Sequence, residues 1–178
     1  AGTANLSFYD EADTVNALVP ELEARGVHTI VLLIHEGGAA TGLYNECEGI
    51  SGPIFEIVER LDPAIDVVVS GHTNAAHLCN IDGRLVTSAA HNGRLVTDID
   101  ILIDEKTNEV VSMGANNVIV TRDVVKDAAQ SALIAKYKSL VAPIANRVVG
   151  SAAGDLTRVA GPSGETTMGN LIADAQLA

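Results

Sequence analysis

Two histidines occupy matching places in this chain. His35 follows the aliphatic run Ile30-Val-Leu-Leu-Ile34 and leads through Glu36 into Gly37 and Gly38, and glycines there let the backbone pass close to whatever the imidazole binds. His72 follows a second aliphatic run, Ile65 to Ser70, with Gly71 before it and Asn74 two residues after. Neutral imidazole is the commonest zinc ligand and also suits manganese and iron, whereas an Asn carbonyl oxygen is an uncharged ligand that only supplements others. Either histidine alone reads equally well as a strand-end cap. Two in the same context point to one metal site made of His35, His72 and Asn74.

The ligand count is short. A catalytic metal site needs at least three protein ligands, and usually carboxylates where two metals are held. Glu36 neighbours His35, so on a strand it points to the other side. Asp66 opens its strand at the end away from His72, and Asp98 and Asp100 alternate within a strand pattern as outward-facing residues. His28, His77 and His91 read as structural or exposed. The sequence has no Gly-x-Ser-x-Gly, P-loop, Gly-x-Gly-x-x-Gly or Cys-x-x-Cys motif, which leaves serine hydrolase, P-loop NTPase and dinucleotide-binding chemistry without support.

The elements that position these residues read as α/β. Residues 10–26 predict a helix capped by Asp10 or Asp13, kinked at Pro20 and stopped by Gly26. Val27 to Ile34 predicts a strand buried on both faces, Pro53 opens a second helix ending near Arg60, and Ile65 to Ser70 predicts a second buried strand. Two βαβ-like units with a His at each carboxyl strand end match the place where open α/β sheets hold ligands. From residue 77 onward hairpins are expected, with Asp82-Gly83 and Asn92-Gly93 as type I′ turns and a further turn at Asp104 to Asn108. Strands are expected over 95–103 and 110–120, a helix over 123–142 ended or bent by Pro143, a short strand over 148–156 and a last helix from Thr166.

Composition narrows the function classes. The chain has 178 residues, 47% of them hydrophobic, enough for a sizeable core. Its 23 acidic and 11 basic residues give a net charge of -12, the wrong sign for tracking a nucleic-acid backbone. Apolar runs of about five residues fall far short of a membrane span. With 3% aromatic residues and no Trp, base-stacking platforms are not expected. Cys47 and Cys79 sit in polar, loop-like sequence that suits a disulfide, and a bridge would close a loop of roughly 33 residues and contribute about 3–4 kcal/mol on the chain-entropy model. Residues 1–10 show neither the basic start nor the apolar stretch of a secretory signal, and without an initiator Met they leave open whether a leader precedes them.

Four segments in order resemble the metallophosphoesterases of the bifunctional 5′-nucleotidase/2′,3′-cyclic-nucleotide phosphodiesterase family. They are Ile30-Val-Leu-Leu-Ile-His-Glu-Gly-Gly38, Asp66-Val-Val-Val-Ser-Gly-His-Thr-Asn74, Gly93-Arg-Leu-Val-Thr-Asp-Ile-Asp100 and Gly164-Glu-Thr-Thr-Met-Gly-Asn-Leu-Ile-Ala-Asp-Ala175. The resemblance implies part of a four-layer α/β/β/α sandwich with mixed sheets. It also implies two divalent metal ions, zinc, manganese, magnesium or calcium, that activate water and bridge a substrate phosphate. His35 and His72 would ligate one metal and Asn74 the other, with Asn74 departing from the family's Gly-His-x-His.

The family's Asp-x-His, Gly-Asp and Gly-Asn-His-[Glu/Asp] motifs do not occur, so no catalytic residue is expected in this chain. The implied organisation is the C-terminal half of the catalytic domain over 1–122, a linker over 123–165, and the start of the C-terminal nucleotidase domain over 166–178. The implied parent is a secreted, periplasmic or cell-surface phosphohydrolase acting on nucleotides or other phosphate esters, completed by its N-terminal half and C-terminal domain, with this chain alone inactive. The alternatives are a non-catalytic binding or assembly domain that keeps the fold, favoured by Asn74 and the absent carboxylates, and a self-associating piece with open strand edges.

Overall fold

In the computed structural model, which describes residues 3–178, the chain divides into two compact units, Ala1–Asp123 and Val124–Ala178. The first helix begins at Asp10, whose side chain accepts from the Asp13 amide at 3.0 Å and starts α1 (Glu11–Asn16). The single kinked helix expected over 10–26 is instead two, α1 and α2 (Val19–Ala24). Pro20 has no amide to return to Asn16, so the ladder stops, and the proline takes a first-turn position of α2 where no amide is needed. The freed Asn16 side chain donates to the Arg60 carbonyl at 2.8 Å and accepts from the Asp62 amide at 2.7 Å. It thereby holds the end of α3 (Pro53–Glu59).

Four strands follow the order β1-β2-β4-β3, with β1 (Ile30–Leu33), β2 (Ile65–Val69) and β4 (Arg84–Ala89) parallel and β3 (Ala76–Ile81) antiparallel to β4. One sheet face meets the helices: Ala12, Val19, Ile54 and Val58 pack with Ile30, Ile65, Val68 and Val86. The strand β1 departs from the expected burial on both faces. It is the sheet's edge, and Val31 and Leu33 on its second face are 44% and 74% exposed.

A second, two-stranded antiparallel sheet, β5 (Leu95–Ile103) and β6 (Val110–Ile119), lies against β3 and β4. The result is helices, a mixed sheet and a second sheet in successive layers. Asp82-Gly83 makes the expected hairpin turn with positive φ at both residues. Asn92-Gly93 also has positive φ, yet it carries the chain from β4 to β5 in the other sheet and so joins no paired strands.

Cys47 and Cys79 form a disulfide. Cys79 lies on β3 and is 2% exposed, against the expectation of a loop position. His77, Cys79 and Ile81 alternate inward, and the polar residue between the last two disguises the strand. The bridge ties the 39–52 loop to β3, next to a hydrogen bond from the Leu78 amide to the Glu46 carbonyl at 3.3 Å.

In the second unit, Asp127 caps α4 (Ala128–Ala145), which therefore starts later than the 123 expected. Pro143 stays inside its last turns, and the Asn146 amide still reaches the Ala142 carbonyl at 3.0 Å. The strand expected over 148–156 does not form, since an extended segment needs a pairing neighbour and none of the described strands lies in this unit. The residues after it attach to α5 (Thr167–Leu177) through the Thr157 amide on Thr167 Oγ1 at 2.8 Å.

Candidate metal site at two strand ends

Because β1 and β2 are parallel neighbours, both leave the sheet on the same side. The Ile34 amide still bonds the Val69 carbonyl at 3.0 Å, and the two exit loops then fasten to each other. The Gly71 amide donates to the Glu36 carbonyl at 3.1 Å, and Thr73 Oγ1 donates to the Gly38 carbonyl at 2.7 Å. Such close approach requires glycine: a Cβ on Gly37 would collide with the Gly71 carbonyl oxygen and lie 2.7 Å from Thr73 Oγ1.

This closure brings His35 Nε2 to 3.2 Å from His72 Nδ1, with the rings 5.1 Å apart and nearly perpendicular. In the absence of a metal, one nitrogen must carry a hydrogen and the other a lone pair. The spacing also suits chelation, since two imidazole nitrogens about 2.1 Å from one ion at angles between 90° and tetrahedral stand about 3.0–3.4 Å apart. The nitrogen separation alone therefore matches that of two ligands to one divalent ion.

His72 is held in an unusual backbone state. The Thr73 amide returns to the Gly71 carbonyl at 2.7 Å, closing a three-residue γ-turn with His72 at its centre and φ of 66°. A left-handed φ on a side-chain-bearing residue is costly and is retained where the surroundings enforce it. Asn74, with φ of 58°, is exposed just after this turn, and among the described residues its side chain bonds neither imidazole.

No third strong ligand joins them: among the described residues, no group of three or more His, Cys, Asp or Glu side chains converges. Glu36 Oε1 accepts from the Gly37 amide at 3.1 Å, within its own loop. Asp66 accepts from the Ile30 amide at 2.9 Å at the far end of the strands, where burial raises its pKa. Asp98 and Asp100 are exposed on β5.

Two further buried polar residues carry more than the sequence discloses: Asn117, which it does not single out, and His77, which it reads only as structural or exposed. Asn117, 1% exposed on β6, donates to the Tyr44 carbonyl at 2.6 Å and the Ser88 carbonyl at 3.2 Å, and accepts from Thr97 Oγ1 at 2.6 Å. A single Asn in a long alternating strand carries no local signal of such a role. His77 is fully buried on β3, and burial lowers its pKa. Folding thus keeps it neutral while the unfolded chain takes a proton below about pH 6.5. Stability is expected to fall by up to about 1.4 kcal/mol per pH unit as pH drops from there through the depressed folded value. Urea midpoints across this range should flatten in His77→Phe; parallel curves for both proteins would contradict the assignment.

No protein-family model matches the chain. It is 32% identical over 178 residues to endonuclease YhcR of Bacillus subtilis (strain 168), covering 99% of this chain and 14% of that protein. It is 28% identical over 184 residues to cell wall protein Lmo0130 of Listeria monocytogenes serovar 1/2a, covering 95% and 24%. Among solved structures, the 5′-nucleotidase precursor from Thermus thermophilus superposes with a TM-score of 0.66 at 24% identity, over 96% of this chain and 35% of that one. The fold is that of the 5′-nucleotidase-like metallophosphoesterases. Calcineurin-like phosphoesterase YfkN from Bacillus subtilis shares it, with a TM-score of 0.59 at 16% identity over 78% of this chain and 45% of that one. The metallophosphoesterase resemblance and the α/β sandwich class read from the four segments both hold. The chain spans only a small part of the curated relatives it matches.

Proposed function

We propose that the chain is the His-bearing portion of a metal-dependent phosphohydrolase that cleaves phosphate esters of nucleotides, with sequence outside it supplying the remaining ligands. The observation that carries this reading is the 3.2 Å approach of His35 Nε2 and His72 Nδ1 at the carboxyl ends of adjacent parallel strands. In it, His35 and His72 hold one divalent ion and Asn74 contributes to a second. When bound, such ions activate water and neutralise phosphoryl charge. The chain's own part is positioning: the fastened loops fix both imidazoles and leave them exposed.

Val31 and Leu33, apolar yet open on the edge strand, support a covering layer from elsewhere in the parent domain. In this reading residues 1–122 belong to the catalytic domain, 123–165 to a linker and 166–178 to the start of a C-terminal domain. The disulfide and the cell wall relative support a secreted, periplasmic or cell-surface protein. Among the described residues no helix is long and apolar enough to cross a membrane. One relative is an endonuclease by name, but most of it lies outside the match, and a net charge of -12 gives this chain no footprint for a phosphate backbone.

The chain alone, with two imidazoles and no carboxylate partner, is expected to bind Mn²⁺ or Zn²⁺ weakly and to release no phosphate from nucleoside monophosphates above background. Calorimetric titration should lose the metal signal in His35→Ala and His72→Ala, and joining the upstream sequence of the parent should restore turnover. Turnover by the isolated chain at the rate of an intact enzyme would overturn this reading. Metal binding unchanged in both variants would favour a domain that keeps the fold for binding or assembly.

A further inference from the structure

We propose that His77 is a positioning residue for His72, acting through Ser70. This inference rests on the reading of His35 and His72 as metal ligands. His77 is fully buried, and its Nε2 lies 3.3 Å from Ser70 Oγ. Ser70 already donates its hydroxyl hydrogen to the Thr87 carbonyl at 2.9 Å. The imidazole must therefore be the donor, which places its hydrogen on Nε2 and leaves Nδ1 as a bare acceptor. That Nδ1 has no hydrogen-bond partner among the described residues. A phenylalanine would fill the same slot without an orphaned nitrogen, so what the histidine adds is the hydrogen bond to Ser70.

Ser70 is the residue through which β2 delivers the ligand turn. Its amide and its hydroxyl both bond the Thr87 carbonyl, clamping the end of β2 to β4. The next residue, Gly71, bonds Glu36 through its amide and closes the His72 turn through its carbonyl. His72 has a left-handed φ of 66°, a state that needs external support. Fixing Ser70 from the buried side therefore fixes where the turn starts and where the His72 ring points.

The test compares the full chain with His77→Phe, His77→Gln and Ser70→Ala, using Mn²⁺ as the probe in calorimetric titration and circular dichroism to establish folding. Removing the donor or the hydroxyl is expected to weaken Mn²⁺ binding about tenfold, as loss of ligand-orienting groups does. Glutamine, which keeps a donor, is expected to recover most of it. Ser70→Ala removes one oxygen and serves where His77→Phe does not fold. Equal affinity in all four proteins, or equal loss in His77→Gln and His77→Phe, overturns the proposal. If the unaltered chain binds no Mn²⁺, the metal reading fails separately, and the Hε1 resonances of His35 and His72 decide. Resonances displaced in His77→Phe and restored in His77→Gln uphold the positioning role; unchanged resonances overturn it.

Discussion

Replacing Asn117 with alanine is expected to destabilise the first unit by about 2–3 kcal/mol, among the largest effects of any single polar substitution here. The side chain is 1% exposed and bonds three partners on three different segments: Tyr44 in the long loop, Ser88 on β4 and Thr97 on β5. Alanine leaves the Ser88 carbonyl short of a partner in a buried place, which costs about 1–3 kcal/mol, whereas exposed Tyr44 and half-buried Thr97 can turn to water and add less. The backbone amide of Asn117 donates to Asn45 Oδ1 at 2.7 Å and so fixes the same loop, which a shifted strand would release. Asn116, its exposed neighbour, makes a single side-chain bond, from Asn45 Nδ2 at 2.7 Å, and Asn116→Ala should cost well under about 1 kcal/mol. Urea denaturation of the two variants checks the contrast, and a similar small cost for both would show that the buried network does not hold the sheets together.

Asn117 also marks the boundary of what the sequence discloses. Elements announced by local pattern were legible: Pro53 at the start of α3, Asp82-Gly83 between β3 and β4, the alternation of β5, and a last helix beginning near Thr166. Each depends on neighbours within a few residues. What depends on distant partners was not. The apolar run of β1 looks like a strand covered on both faces, but coverage is decided by which elements stack on it, and Val31 and Leu33 stay open. Asn92-Gly93 has the backbone of a tight turn and nevertheless connects two sheets, because strand pairing is a tertiary choice. Residues 148–156 have strand-like composition without a partner to pair with.

The candidate site divides in the same way. That His35 and His72 end parallel strands could be read from two aliphatic runs and their glycines, and the 3.2 Å approach follows from the register of β1 on β2. The γ-turn at His72 carries no sequence signature beyond Gly71, and the buried His77 behind Ser70 resembles any other strand histidine.

Gly37 is where the fold and the site depend on the same atom pair. Gly37→Ala is expected to cost about 2–4 kcal/mol and to separate the two imidazoles. The added Cβ would run into the Gly71 carbonyl oxygen, a backbone atom that no rotamer change can move aside, and would press on Thr73 Oγ1 at 2.7 Å. Relief requires the Gly71–Thr73 turn to lift away. That movement breaks the Gly71 amide bond to Glu36 and the Thr73 hydroxyl bond to Gly38, and with them the support for the left-handed φ at His72. Steric and conformational causes can be separated with two other glycines. A Cβ at Gly114 meets nothing within 4 Å and needs no unusual backbone, so Gly114→Ala should fall within about 0.5 kcal/mol of the parent. Gly83 has equally open surroundings but a φ of +81°, so Gly83→Ala should cost about 1 kcal/mol from backbone strain alone. Denaturation curves order the three, and the His35 and His72 Hε1 resonances report the site. A Gly37→Ala protein as stable as Gly114→Ala, with both resonances in place, would mean that the two loops are not held by this contact and that the imidazoles meet for another reason.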